Sequence, residues 1–339
     1  MEIIKLSQGS GGVETVELLT SLIFSKVEER LKKIEGGVGI DFPDDAAAIP
    51  IGEGYLVISV DSYTVNPPFF PGGDIGRLAA SGSINDVLMM GARPVALLDA
   101  VVVEEGFPVS DLEKIIESMV ATLREEGVAL IGGDFKVMPR GQVDKIIITT
   151  VGVGLAKKLI IDKPQPGDKI VVSGYLGDHG AVILAMQMGL NTSLVSDVKP
   201  LSKLMLPLLE KYSEYIHAAR DPTRGGLAMV LNEWAKTSDT VVLVDEKSIP
   251  VRPEVAAYAN MLGIDPLALA SEGAAVLAVD GKVAEEVVEY MKKLGFENAS
   301  IIGEVKKSEK YRGYVLLKTE VGGHRILEPP RGELVPRIC

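Results

Sequence analysis

The chain has 339 residues, 35 basic against 47 acidic, and its formal net charge of −12 disfavours nucleic acid or an anionic membrane face as a partner. Hydrophobic residues make up 47% and charged residues 24%, a balance that supports sizeable cores, argues against disorder, and at this length implies about two domains. A single cysteine excludes an intrachain disulfide framework and any multi-cysteine zinc or iron–sulfur site. No apolar stretch approaches the ~20 residues of a membrane span, and the start, Met1-Glu2-Ile3-Ile4-Lys5, lacks the basic and apolar regions of a signal peptide. The expected compartment is the cytoplasm.

The spacing of apolar residues predicts a helix over 13–34, ended by Gly36-Gly37, then a strand over 55–60 and a helix over 78–90 stopped by Gly91. A strand over 94–103, an amphipathic helix over 112–123 and strands over 128–131 and 145–155 follow. This is an α+β pattern, a β-rich layer with helices on one side. Lys163-Pro164-Gln165-Pro166-Gly167-Asp168 is a turn-rich connector. The domain boundary is therefore placed between 1–156 and 157–321. The second half repeats the theme, with strands over 169–173, 241–244 and 274–279 and near Ile301 and Tyr314. Its helices are expected over 180–188, 202–218, 225–234 and 283–294. From Gly322 to Cys339 no period is sustained, so 322–339 is expected to be an unpacked arm ending in the chain's cysteine.

Aspartates recur beside glycine or proline and at strand ends: Asp44-Asp45, Asp61, Asp134 and Asp221, with Asn85-Asp86 inside a helix. Carboxylates at strand ends can converge on one point, and hard oxygen ligands suit Mg²⁺ holding nucleotide phosphates. Taken singly, each is equally an ordinary turn-former. Glycine-rich segments precede helices at Gly9-Ser10-Gly11-Gly12, at Gly72-Gly73-Asp74-Ile75-Gly76 and at Thr223-Arg224-Gly225-Gly226. Backbone N–H groups at such starts can cradle phosphate, although plain helix capping uses the same residues. No Walker A sequence or dinucleotide fingerprint accompanies them. Lys136, His179 and Glu272 stand in or near glycine-bounded turns, where solvated or capping roles compete with proton transfer. Cys339 is too close to the end for a prenylation box.

Together these segments resemble the HypE family of hydrogenase expression/formation proteins, within the superfamily of aminoimidazole ribonucleotide synthase, selenophosphate synthase and thiamine-monophosphate kinase. The resemblance spans the chain. It rests on GSGG, FPDDAAAI, SVDSYTVNPPFFPGGDIGRLAASGSINDVLMMGARP, GGDFKV, SGYLGDHG, RDPTRGGLA, SEGA and the terminal PRIC. Gln8 stands where the family has His, and Phe135 where Thr is common. The resemblance implies a two-domain PurM-like (aminoimidazole ribonucleotide synthase-like) α+β subunit with a flexible C-terminal tail, paired into a homodimer through its N-terminal domains. It implies ATP-dependent dehydration of a carbamoyl group on Cys339 to a thiocyanate, the source of the cyanide of nickel–iron hydrogenase. On that basis Asp45, Asp86, Asp134 and Asp221 are assigned to Mg²⁺. Gly11, Gly12, Asp61, Gly72, Gly73, Asn85, Arg224 and Gly225 are assigned to ATP. Lys136, Glu272 and, third, His179 are assigned to proton transfer. Implied partners are a HypF-type carbamoyltransferase and the HypC and HypD iron scaffold, with no nucleic acid and no membrane. A kinase or selenophosphate synthase of the superfamily, or a non-catalytic thiol carrier, are the alternatives.

Overall fold

The computed structural model describes residues 3–332. The first half contains α1 (Val13–Leu22), β1 (Ala47–Ile51), β2 (Gly54–Tyr63), β3 (Phe69–Phe70), β4 (Gly73–Asp74), α2 (Ile75–Met89), β5 (Arg93–Glu104), α3 (Val109–Glu126), β6 (Ala129–Met138) and β7 (Ile146–Ala156). Its five-stranded sheet has the order β1-β2-β7-β5-β6. The expected helix over 13–34 stops at Leu22, because none of its residues is buried and no packing sustains further turns.

Helix α2 organises the molecule. Asp74 caps it by accepting from the N–H groups of Gly76 and Arg77, and the left-handed Gly91, φ +79°, follows its end. Nearly every residue of α2 is buried, because it lies between its own sheet and the second half of the chain. Small residues make that fit possible: a Cβ on Gly82 would stand 2.0 Å from the Tyr63 hydroxyl, and one on Gly76 2.0 Å from the Ile115 carbonyl oxygen.

The second half contains β8 (Asp168–Val172), α4 (Asp178–Gln187), α5 (Ser202–Tyr212), β9 (Ile216–Arg220), α6 (Gly226–Thr237), β10 (Val241–Asp245), α7 (Pro253–Leu262), β11 (Val276–Asp280), α8 (Ala284–Lys293), β12 (Ser300–Lys306), β13 (Val315–Lys318) and β14 (His324–Ile326). Its seven-stranded sheet runs β14-β13-β10-β12-β8-β11-β9. The expected helix over 202–218 divides at Tyr212, since Ile216 and Ala218 to Arg220 pair with β11. Both faces of this sheet are covered, which corrects the one-sided expectation for this half. Val171, Leu277 and Val279 join a core with α2, α5 and α8, while Val172, Val276 and Ala278 pack with Trp234 of α6. The expected arm over 322–339 is corrected for residues 324–327 alone: β14 pairs with β13, and Leu327 is buried in the core with Trp234. Cys339 lies outside the described residues.

Candidate active site

Asp45 precedes β1, Asp61 sits on β2, Asp86 on α2, and Arg220 ends β9, with Asp221, Thr223 and Arg224 leading into α6. These residues line one cavity of about 630 Å³ between the two halves, whose other wall is formed by Gly11, Val16, Leu19, Ile34 and Ile58. Its size and its mix of apolar wall and convergent polar groups suit a small-molecule site.

Charge is the distinguishing property of this cavity. Arg220 is engaged by four carboxylates: Asp162 at 2.6 Å, Glu233 at 2.8 Å, Asp45 at 3.1 Å and Asp44 at 3.5 Å. Arg224 pairs with Asp61. Asp86 and Asp221 add two more carboxyls to the lining, and Glu272 is buried behind it; among the described residues none of the three forms a side-chain salt bridge. Burial pushes Asp221 up to about 7, with Asp61 adding to it and Arg224 and Arg220 opposing it. Asp45 is raised well above the usual carboxylate range by burial despite Arg220. Asp86 is raised by burial and then by the charges of Asp61, Asp221 and Asp45. Glu272, 1% exposed, is likewise raised by burial and by Asp221 and Asp197. The Oδ2 atoms of Asp45 and Asp221 are buried without a hydrogen-bond partner. Such atoms fit a cation-binding role, since buried polar groups are ordinarily satisfied.

Among the described residues no group of three or more His, Cys, Asp or Glu side chains is gathered so as to hold a metal ion alone.

Glycines shape two walls. Gly11, φ +84°, leaves room for the Arg224 side chain, which a Cβ would meet at 2.6 Å, and Gly12 caps α1. Gly225, φ +68°, leaves room for Pro330, which a Cβ would meet at 2.8 Å. The C-terminal segment therefore passes beside residues adjacent in sequence to the lining residues Arg224 and Thr15. Gly332 N–H donates to Glu14 Oε1 at 3.1 Å.

Other expected site residues lie elsewhere. Gly72 and Gly73 do not line the cavity; Cβ atoms there would meet Ser196 and Val198, so these glycines allow the two halves to approach. Asn85 clasps the halves, donating to the carbonyls of Lys199 at 3.2 Å and Glu272 at 3.5 Å and accepting from Leu201 N–H at 2.8 Å. His179 is fully buried, with Nδ1 2.7 Å from Ser196 Oγ and its ring edge-on to Phe70; burial holds its pKa down at about 3.

Asp134 and Lys136 form an exposed ion pair at 2.6 Å on edge strand β6. The ladder Asp61↔Thr150, Asp99↔Thr150 and Asp99↔Gly133 places Asp61 and Gly133 on one face, so Asp134 and Lys136 point to the other. Strand β6 is three strands from β2, about 14 Å at ~4.8 Å per step. Within one chain, they do not join the Asp86 cluster. Arg220, Asp162 and Glu233 were not foreseen as site residues; the one signal was Arg220 beside Asp221 at a strand end.

Residues 43–156 match the family AIR synthase related protein, N-terminal domain, and residues 165–316 match its C-terminal domain. A putative hydrogenase expression/formation protein of Methanocaldococcus jannaschii is 44% identical over the full length of both chains. The carbamoyl dehydratase HypE of Escherichia coli is 38% identical, also over the full length of both. A structure of a hydrogenase maturation protein HypE in complex with ATP superposes with a TM-score of 0.80 at 39% identity, covering 99% of this chain and 100% of that one. The structure of a HypE–HypF complex gives 0.83 at 38% identity, over 92% and 99%. A thiamine monophosphate kinase from Aquifex aeolicus, 18% identical with a TM-score of 0.64 over 92% and 98%, shares the fold. With two PurM-like domains meeting at an acidic cavity, and full-length relatives at about this identity, the chain belongs to the HypE family of hydrogenase expression/formation proteins.

Proposed function

We propose that the protein is a carbamoyl dehydratase of hydrogenase maturation, converting S-carbamoyl-Cys339 to S-cyano-Cys339 with consumption of ATP. The carbamoyl carbon keeps its sulfur and nitrogen, its oxygen leaves on phosphate, and the two amide protons depart with ADP and phosphate as the other products. The observation that carries this reading is the course of the chain's own C-terminal segment past the acidic cavity, with Pro330 against Gly225 and Gly332 held by Glu14. From Gly332, the seven residues 333–339 can extend about 25 Å at ~3.6 Å per residue.

Bound ATP with Mg²⁺ would supply the phosphoryl group that turns the carbamoyl oxygen into a leaving group. One or two of Asp45, Asp86 and Asp221, with Asp61 nearby, would hold the cation together with the nucleotide phosphates. Arg224 at the mouth is a phosphate clamp suited by its planar donor fork. Glu272, whose carboxyl is raised by burial and by the charges of Asp221 and Asp197, lies behind the cavity lining and is the proposed proton-transfer residue. Lys136 and Asp134 reach a site only from a second copy. A homodimer through the open face of the first sheet supplies that copy, covering the exposed Val60 and Leu155 and the unprotected edge β6. A HypF-type carbamoyl donor and a HypC–HypD-type acceptor are the proposed partners. Among the described residues no helix is long and apolar enough to cross a membrane, and the proposed compartment is the cytoplasm.

Intact-protein mass spectrometry after carbamoylation tests the reading. Addition of ATP should remove one water from the tail adduct, and Cys339→Ala should never acquire the adduct. An adduct whose mass ATP leaves unchanged, or ATP turnover on a free metabolite, would refute it.

A further inference from the structure

The segment leading to the tail is fixed at two points. Leu327 is 1% exposed; its N–H donates to the Val315 carbonyl at 2.9 Å and its carbonyl accepts from Asn232 Nδ2 at 2.9 Å. Pro329-Pro330, with narrow φ ranges, then direct the backbone along the start of α6, where the missing Cβ of Gly225 admits Pro330. At Gly332 the backbone turns with φ +82°, and its N–H donates to Glu14 Oε1 at 3.1 Å while Ser10 Oγ lies 3.5 Å from its carbonyl oxygen. The other oxygen of Glu14, Oε2, is buried with no partner. Helix α1, which carries Glu14, has no buried residue of its own, so Glu14 contributes nothing to a core.

We propose that Glu14 is a positioning residue for the tail: by gripping Gly332 it fixes where the segment bearing Cys339 starts and directs it into the cavity. This inference rests on the reading of Cys339 as the carrier of the substrate group. Without the grip, the last fixed point is Leu327, and twelve residues instead of seven separate it from the thiol. The effective concentration of a tethered group falls roughly as the −3/2 power of tether length, so lengthening alone lowers the presence of the thiol in the cavity about two-fold. Loss of direction adds to this.

The peptide joining Arg331 to Gly332 is a tryptic site whose own N–H is the group Glu14 holds, so cleavage there reads the grip directly. In the full-length protein, Glu14→Ala should speed tryptic cleavage of the Arg331–Gly332 bond, followed by mass spectrometry, about five-fold. Glu14→Gln, which retains an acceptor oxygen, should stay within about two-fold of the unsubstituted chain, as should Glu17→Ala on the same helix. With the carbamoylated protein, Glu14→Ala should lower the single-turnover rate of water loss at saturating ATP at least two-fold and leave the ATP dissociation constant unchanged. Equal cleavage in the unsubstituted protein and Glu14→Ala would overturn the proposal, as would cleavage of Glu14→Gln as fast as Glu14→Ala, or a water-loss rate that Glu14→Ala leaves unchanged. If the unsubstituted chain never loses water, the dehydratase reading fails, and the protease result still judges the grip by itself.

Discussion

Replacing Asp221 by asparagine preserves the side-chain volume and removes a charge that the fold opposes. Burial and Asp61 raise this carboxyl from 3.8 to about 7 against the pull of Arg224 and Arg220. At ~1.4 kcal/mol per unit, ionising it in the folded chain costs about 4 kcal/mol more than in the unfolded chain. The folded state binds the proton more tightly, so the contribution to stability is fully present below the unfolded pKa of 3.8. It is lost as pH rises through about 7. Asp221→Asn removes that loss. Urea unfolding should find the variant more stable than the unsubstituted chain by about 4 kcal/mol near pH 8.5, with the gap narrowing to about 1.5 kcal/mol near pH 5 and under ~1 kcal/mol near pH 4. The same substitution removes a carboxylate from the proposed cation site, so calorimetric titration with ATP and Mg²⁺ should show affinity at least ~10-fold weaker. A variant that is less stable near pH 8.5, or whose advantage is the same at every pH, would refute the argument that the acidic cluster is held together under strain. Unchanged nucleotide affinity would separately remove Asp221 from the cation site.

Asp86→Ala should weaken binding of ATP with Mg²⁺ in the same titration by about ten-fold, because it removes a carboxylate crowded by Asp61, Asp221 and Asp45; equal affinity would take Asp86 out of the site. Glu272→Gln and Lys136→Ala should still accept the carbamoyl group and bind ATP but lose water from it at least ~100-fold more slowly, measured by tail-peptide mass. A near-normal rate in either would reassign that proton transfer. Val60→Glu, on a residue 65% exposed on the open sheet face, should convert the proposed dimer to monomer by light scattering; a monomeric unsubstituted protein at micromolar concentration would refute the pairing itself.

The parts of the fold that were legible in the sequence are those where one residue pattern has one physical outcome. The apolar α2, the strands β2, β5 and β7 and the connector at 163–168 follow from period and turn chemistry, while the helix over 13–34 failed because its apolar residues find no core. That Asp45, Asp86 and Asp221 would converge was legible because the aspartates recur at strand ends and beside Asn85, and all three line the cavity. Arg220 was not, since an arginine ending a strand reads as a solvated charge until four carboxylates from separate segments are seen around it. Asp134 and Lys136 expose a different limit. Their spacing identifies a strand, but the face each side chain takes depends on the register with β5, which pairs Ala100 with Asp134 and Val102 with Lys136. That register turns both away from Asp61. If the proposed chemistry uses them, they must come from a second copy of the chain, which is why the light-scattering test of the pairing and the Lys136→Ala rate test bear on each other.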